Sequence, residues 1–173
     1  MKETGGLKQT EAFMSGEFDS ARQIPAATAN TPNDLDIEQI SAIVVDLAFH
    51  IHKDLGPGLL ETVYEVVLAK ALERRGLTVE RQKPVTFEYD GMQFQDGLRV
   101  DLLVNGIFLV ELKSVEAIAP VHPKQLLTYL RLMHLPLGLL INFGAATFKE
   151  GVKRIVNNHT SFASSRLRVN QPT

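Results

Sequence analysis

The chain has 173 residues, enough for one domain with a hydrophobic core and too few for two of ordinary size. Hydrophobic residues make up 45% and charged residues 22%, an ordinary globular balance, and no apolar run reaches the roughly 18 residues that a spanning helix needs, which excludes a membrane span. The net charge of −2 supplies no overall attraction to nucleic acid, and the absence of cysteine excludes disulfides and thiolate metal sites.

Residues 1–33 are rich in Gly, Ser, Thr, Ala and Asn without an apolar period, and they lack the basic start and apolar stretch of a secretion signal. They are expected to form a disordered or loosely attached tail over 1–35, ahead of a single domain over 36–173, in a cytoplasmic protein. Residues 1–35 hold three Lys/Arg against five Asp/Glu, which leaves 15 of each in the body. Within that body Lys70 to Lys83 carries five basic and two acidic residues, and Lys149 to Arg168 five and one. Either stretch is a candidate phosphate surface, and a merely solvated basic face explains each equally well.

From Asp36 onward Ile37, Ile40, Val44, Leu47 and Ile51 recur at helical spacing, with Asp34 or Asp36 available as the cap and Gly56-Pro57-Gly58 as the stop. A second helix places Leu60, Val63, Val67 and Ala71 on one face and ends at Gly76. The period then becomes two. Strands are expected over 78–81, 85–89, 98–104 and 107–113, with Asp90-Gly91 and Asn105-Gly106 as turns. The last two are apolar on both faces and so belong in the middle of the sheet. A helix over about 123–134, a buried strand over 137–142 and a short helix over about 148–157 complete an α/β domain, a mixed central sheet flanked by helices.

Polar residues set in the most apolar segments carry the chemical information. Glu111 and Lys113 lie two apart at the end of an apolar strand, so both leave the same face, and Asp101 begins the partner strand. Such groups cost several kcal/mol unless they are paired or bound to metal. Taken alone they read most simply as a buried ion pair. Gln125 and Tyr129 share one helix face, while Glu61 sits in the first turn of its helix with Tyr64 one turn on. By default Glu61 is a helix-dipole carboxylate and Tyr64 a half-buried core aromatic. His52, His122 and His134 are assigned packing or capping roles. With no thiols, any metal here is held by oxygen or imidazole, which points to hard ions such as Mg²⁺ or Mn²⁺.

The spaced motifs His52-Lys-Asp-Leu-Gly-Pro-Gly58, Gly58-Leu-Leu-Glu61-Thr-Val-Tyr64, Arg99-Val-Asp101, Val110-Glu-Leu-Lys113, Gln125 to Tyr129, Gly138-Leu-Leu-Ile-Asn-Phe143 and Lys153-Arg154 follow one another over residues 36–158. In this order they resemble the GxxExxY proteins, small prokaryotic proteins placed in the PD-(D/E)XK nuclease superfamily. The resemblance implies a restriction-endonuclease-like core. It implies Asp101 and Glu111 as ligands of Mg²⁺ or Mn²⁺ with the Leu112 carbonyl, and Glu61 as a ligand directly or through water. Lys113 would orient the attacking water and offset phosphate charge, and Gln125 and Tyr129 match the QxxxY signature of the exonuclease branch. The function implied is hydrolysis of phosphodiester bonds in DNA or RNA, with nucleic acid as partner. A non-catalytic nucleic-acid- or protein-binding module that retains the fold is the alternative, favoured by the neutral body.

One sequence signal conflicts with a shared metal. A two-residue Asn105-Gly106 turn pairs Asp101 with Val110 and sends Glu111 to the opposite face. An odd loop or a bulge between Asp101 and Glu111 is therefore expected; a three-residue loop from Asn105 to Ile107 would pair the two carboxylates.

Overall fold

The computed structural model describes residues 35–157. Residues 1–34 of the expected tail and the last residues of the expected domain, 158–173, lie outside the described residues. Leu35 already packs against the core, so the ordered body begins no later than that residue.

Helix α1 (Ile37–Leu55) starts where the sequence signals it. The Asp36 carboxylate accepts from the Gln39 N–H, and the Gln39 side chain accepts from the Asp36 N–H, a reciprocal capping box. Helix α2 (Glu61–Arg74) ends at Gly76, whose φ of 83° is cheap only for glycine, with the Leu77 N–H donating back to the Leu72 carbonyl. The buried face of α2 is not the expected one. Tyr64, Glu65, Leu68, Ala69 and Leu72 face inward, whereas Leu60 is 74% exposed and Val63 is 39% exposed. The helix is rotated because Tyr64 is drawn under the preceding turn, where it is fully buried and stacks on Phe143.

Five strands follow in sheet order β1-β2-β3-β4-β5. They are β1 (Val79–Tyr89), β2 (Met92–Val104), β3 (Phe108–Lys113), β4 (Leu137–Asn142) and β5 (Val152–Val156), with α3 (Val121–Leu132) between β3 and β4 and one turn of helix, α4 (Phe148–Gly151), before β5. The β3–β4 pair is parallel and every other pair antiparallel, which makes the sheet mixed as expected.

Two further expectations are corrected. The strands expected over 78–81 and 85–89 are one strand; Pro84 does not end it, because β1 is an edge strand and one side of its backbone has no ladder to satisfy. The terminal helix expected over 148–157 is helical only to Gly151. Val152, Ile155 and Val156 suit an extended edge, and the segment pairs with β4 from Ile141↔Val152 to Leu137↔Val156.

Strands β3 and β4 carry the core, as their two-sided apolar pattern indicates. Val110, Leu112, Leu139 and Ile141 pack with α1 and α2. Leu109 and Leu140 pack with Leu126, Tyr129 and Leu130 of α3 on the other side. The result is an α/β sandwich, a mixed sheet with helices on both faces. Among the described residues no helix is long and apolar enough to cross a membrane.

Candidate active site

Glu61 opens α2, next to the unsatisfied N–H groups that favour a carboxylate. The turn before it needs positive φ, 67° at Gly56 and 111° at Gly58. Tyr64 locks that turn: its hydroxyl donates to the Gly56 carbonyl at 2.6 Å and accepts from the Leu59 N–H at 3.2 Å. The Ser114 hydroxyl donates to the Leu59 carbonyl at 2.6 Å and fastens the turn to the segment leaving β3. Glu61 is thereby delivered to the end of β3.

The hairpin that supplies the other acids has the odd loop that face parity demands. Val104 pairs with Phe108, Leu103 with Leu109 and Leu102 with Val110. Asn105 (φ 49°) and Gly106 (φ 70°) form the turn, closed by the Ile107 N–H donating to the Val104 carbonyl, and Ile107 is the additional residue. Asn105 is held in its unusual conformation by its side-chain oxygen, which accepts from the Thr78 N–H and hydroxyl. Continued one step, this register sets Asp101 across from Glu111. The ladder does not continue there. The Leu112 N–H donates instead to Asp101 Oδ2 at 2.8 Å, so the carboxylate takes the place of a backbone partner.

Lys113 gathers the remaining oxygens. Its Nζ lies 2.9 Å from Glu111 Oε1, 2.7 Å from the Leu112 carbonyl oxygen and 3.7 Å from Glu61 Oε1. Four of the expected residues, Glu61, Asp101, Glu111 and Lys113, therefore meet in one place. Gln125 and Tyr129 do not join them by hydrogen bond or ion pair. The Gln125 amide donates to the Tyr129 hydroxyl at 2.6 Å, and Tyr129 is part of the α3-side core. Among the described residues no three His, Cys, Asp or Glu side chains form a ready coordination shell; the ammonium of Lys113 holds the centre instead.

The electrostatics are those of crowded acids around one cation. Burial, followed by repulsion from Asp101, pushes the Glu111 carboxyl up to about 7 against the pull of Lys113. Its Oε2 is buried and has no hydrogen-bond partner. Burial also raises Glu61 and Asp101, the latter against its hydrogen bond from the Leu112 N–H. For Lys113 burial pulls downward, but the hydrogen bond and charge of Glu111, with Glu61 and Asp101, outweigh it and leave the pKa raised. Lys113 thus stays a cation, although burial alone favours a neutral amine.

Sequence reasoning missed three members of the surroundings. Glu65, one turn after Glu61, is 3% exposed and accepts from Arg81 Nε at 2.9 Å and from the Gln82 amide at 2.7 Å. Its i, i+4 spacing from Glu61 was the available signal. The Gln82 amide also donates to Asp101 Oδ1 at 3.2 Å, and nothing in the local pattern marks it. Asn142, at the end of β4, accepts from the Val115 and Gly144 N–H groups and donates to the Val115 carbonyl, pinning the segment that leaves Lys113.

The histidines keep structural roles: His52 Nε2 meets the Ala145 carbonyl at 3.0 Å, the Ala119 N–H donates to His122 Nδ1, and His134 lies past the end of α3 with φ 55°. The basic stretch from Lys70 to Lys83 is largely consumed internally, since Lys70, Arg75, Arg81 and Lys83 pair with Glu73, Asp46, Glu65 and Glu80. Arg154, from the second stretch, is held by Glu38. A cleft of about 490 Å³, lined by Pro57 to Glu61, Ser114 to Glu116 and Gly144, opens beside Glu61.

A mixed sheet covered on both faces, with an Asp, a Glu and a Lys at the end of its central hairpin, defines a nuclease-type α/β domain. The sequence profile of the PD-(D/E)XK nuclease superfamily matches residues 38–155, well over half the chain. The chain belongs to that superfamily. No curated protein and no solved structure matches it.

Proposed function

We propose that the protein is a Mg²⁺- or Mn²⁺-dependent nuclease of the GxxExxY group, hydrolysing phosphodiester bonds of DNA or RNA at the Glu61–Asp101–Glu111–Lys113 cluster. The observation that carries this reading is the buried, unpartnered Oε2 of Glu111 beside two further carboxylates, all hard oxygen donors. This set fits a hard divalent ion: Asp101, Glu111 and the Leu112 carbonyl would hold it, with Glu61 directly or through water. When bound, such an ion supplies an activated water and neutralises charge building on phosphorus. Lys113 contributes a fixed positive charge, because its neighbours keep it protonated, and it is suited to orient a water and to offset charge on a phosphate oxygen. Asp101 is held in place by the Leu112 N–H, so its second oxygen is presented without reorganisation. Membership of the GxxExxY group is supported by the parts its residues play: Gly58 turns the chain, Tyr64 locks the turn and Glu61 is presented by it. Gln125 and Tyr129, bonded to each other on α3, carry the QxxxY signature of the exonuclease branch.

The test is cleavage of single-stranded and duplex DNA and RNA by the full chain with Mg²⁺ or Mn²⁺, against a chelator control and Lys113→Ala. Cleavage that requires the ion and falls by ~10²-fold or more in Lys113→Ala is expected. Metal-independent cleavage, or equal activity in the variant, would refute the assignment. Binding of nucleic acid without cleavage by a protein that takes up the ion would favour the non-catalytic module.

A further inference from the structure

Gln82 stands in the middle of β1, where an extended backbone is the rule, yet its φ is 49°. A non-glycine residue at positive φ costs about 1–3 kcal/mol and persists only where its surroundings enforce it. The strand register is undisturbed on both sides, Arg81↔Leu102 and Lys83↔Val100, so the residue across from Gln82 is Asp101.

The local geometry has two consequences. Arg81 and Gln82 are neighbours, and in a regular pleat they would point to opposite faces; here both reach the carboxylate of Glu65. Leu102 and Val100 are two apart and would share a face; here Leu102 packs with α1 and α2, and Val100 packs with α3. The ribbon rolls over at the Gln82–Asp101 position, and Asp101 sits on the fold line.

We infer that Gln82 is a positioning residue for Asp101, held in its strained conformation by Glu65 so that its amide fixes the carboxylate that faces the proposed metal. The chain of contacts is short. Arg81 anchors one oxygen of Glu65, the other oxygen accepts the Gln82 amide at 2.7 Å, and the same amide reaches Asp101 Oδ1 at 3.2 Å. Asp101 Oδ2 is meanwhile held by the Leu112 N–H. The carboxylate is thus fixed from two sides, by the strand on its left through backbone and by the strand on its right through one side chain. Glu65 is 3% exposed and would be a costly buried charge if its purpose were only to pack; paired with Arg81 and Gln82 it acts as the rigid mount for the amide. Partners that orient a metal ligand in this way commonly govern affinity by 10–100-fold, on the order of the ligands' own neighbours in other metal sites.

The inference rests on the metal reading for its consequence but not for its geometry, and one variant separates the two. Gln82→Asn tolerates positive φ at least as well and shortens the side chain by one methylene, so that its amide no longer spans Glu65 and Asp101. Amide exchange by NMR on the metal-free full chain should show faster exchange at Leu112, whose N–H depends on Asp101, with the other β3 amides unchanged. Mn²⁺ titration calorimetry should show binding weakened by ~10-fold. Uniformly faster exchange, or none at Leu112, would overturn the positioning role, as would unchanged Mn²⁺ affinity alongside a loosened Leu112 amide. Ile43→Ala, on α1, serves as a control for general destabilisation: equal loss of Mn²⁺ affinity at equal loss of Tm would also overturn it. If the unaltered chain takes up no Mn²⁺, the proposed function fails, and exchange at Leu112 still decides whether Gln82 holds Asp101.

Discussion

Glu111 concentrates the physical tension of the site. Its carboxyl is raised from 4.5 to about 7, chiefly by burial, and one of its oxygens has no partner. Below pH 4.5 it is protonated in the folded and unfolded chains alike, and its cost is absent. As pH rises the unfolded chain ionises first, so stability is lost from 4.5 through about 7, by ~3 kcal/mol if the group titrated alone. Thermal melts of the metal-free protein between about pH 4 and pH 8 should show this decline. Mn²⁺ should raise Tm most at the upper end, where the carboxylate is charged and the ion relieves repulsion. Glu111→Gln should fold, lose most of the pH slope in that window and lose the Mn²⁺-induced rise. An equal rise in the variant would place the ion elsewhere.

At the scale of elements, the turn from Gly56 to Leu60 and the first turn of α2 work as one unit. Tyr64 is fully buried, with its ring 4.4 Å from Phe143 and its hydroxyl bound to two backbone groups of the turn. Tyr64→Phe keeps the ring stack and removes both hydrogen bonds, leaving the Gly56 carbonyl and the Leu59 N–H to find other partners. Denaturant unfolding should register a loss of about 1–2 kcal/mol. Because the same turn delivers Glu61 to Lys113, Mn²⁺ affinity should fall with it while the far-ultraviolet spectrum stays unchanged. Full retention of Mn²⁺ affinity would show that Glu61 is placed by α2 alone. The hairpin of β2 and β3 is the second such unit: its three-residue loop, not its composition, sets the register that brings Asp101 toward Glu111.

For the whole molecule, the two cores on either face of the sheet close over residues 35–157, with α1 and α2 covering one side and α3 the other. A chain beginning at Asn33 should therefore unfold with the same cooperativity and nearly the same Tm as the full chain, measured by calorimetry. A drop of many degrees would mean that residues before Asn33 contribute to the core. The internal pairing of Lys70, Arg75, Arg81 and Lys83 also bears on how the molecule meets a polyanion. With those charges engaged and a net charge of −2, binding of nucleic acid without divalent ion should be weak and show a shallow salt dependence.

The sequence by itself determined the elements whose signals are local. An Asp at 34 or 36 caps α1 through its own side chain (the structure uses Asp36), Gly76 ends α2 because it alone takes that φ cheaply, and β3 and β4 declare their central place by being apolar on both faces. It also marked Asp101, Glu111 and Lys113, because charged groups next to a two-sided apolar strand need a reason to be there, whereas Glu61 was singled out only by the family resemblance. The parity of the Asn105-to-Ile107 loop could be argued in advance, since face alternation admits few solutions. Only the tertiary structure decided the rest. The rotation of α2, the single long β1 and the terminal strand β5 depend on neighbours remote in sequence: Phe143 for Tyr64, the free edge beside Pro84, and β4 for Val152 to Val156. Gln82 was invisible for the same reason, and Glu65 showed nothing beyond its i, i+4 spacing from Glu61. Each looks like an ordinary surface residue in its own segment, and each becomes part of the site only when α2 is laid beside a β1 that turns over at Gln82.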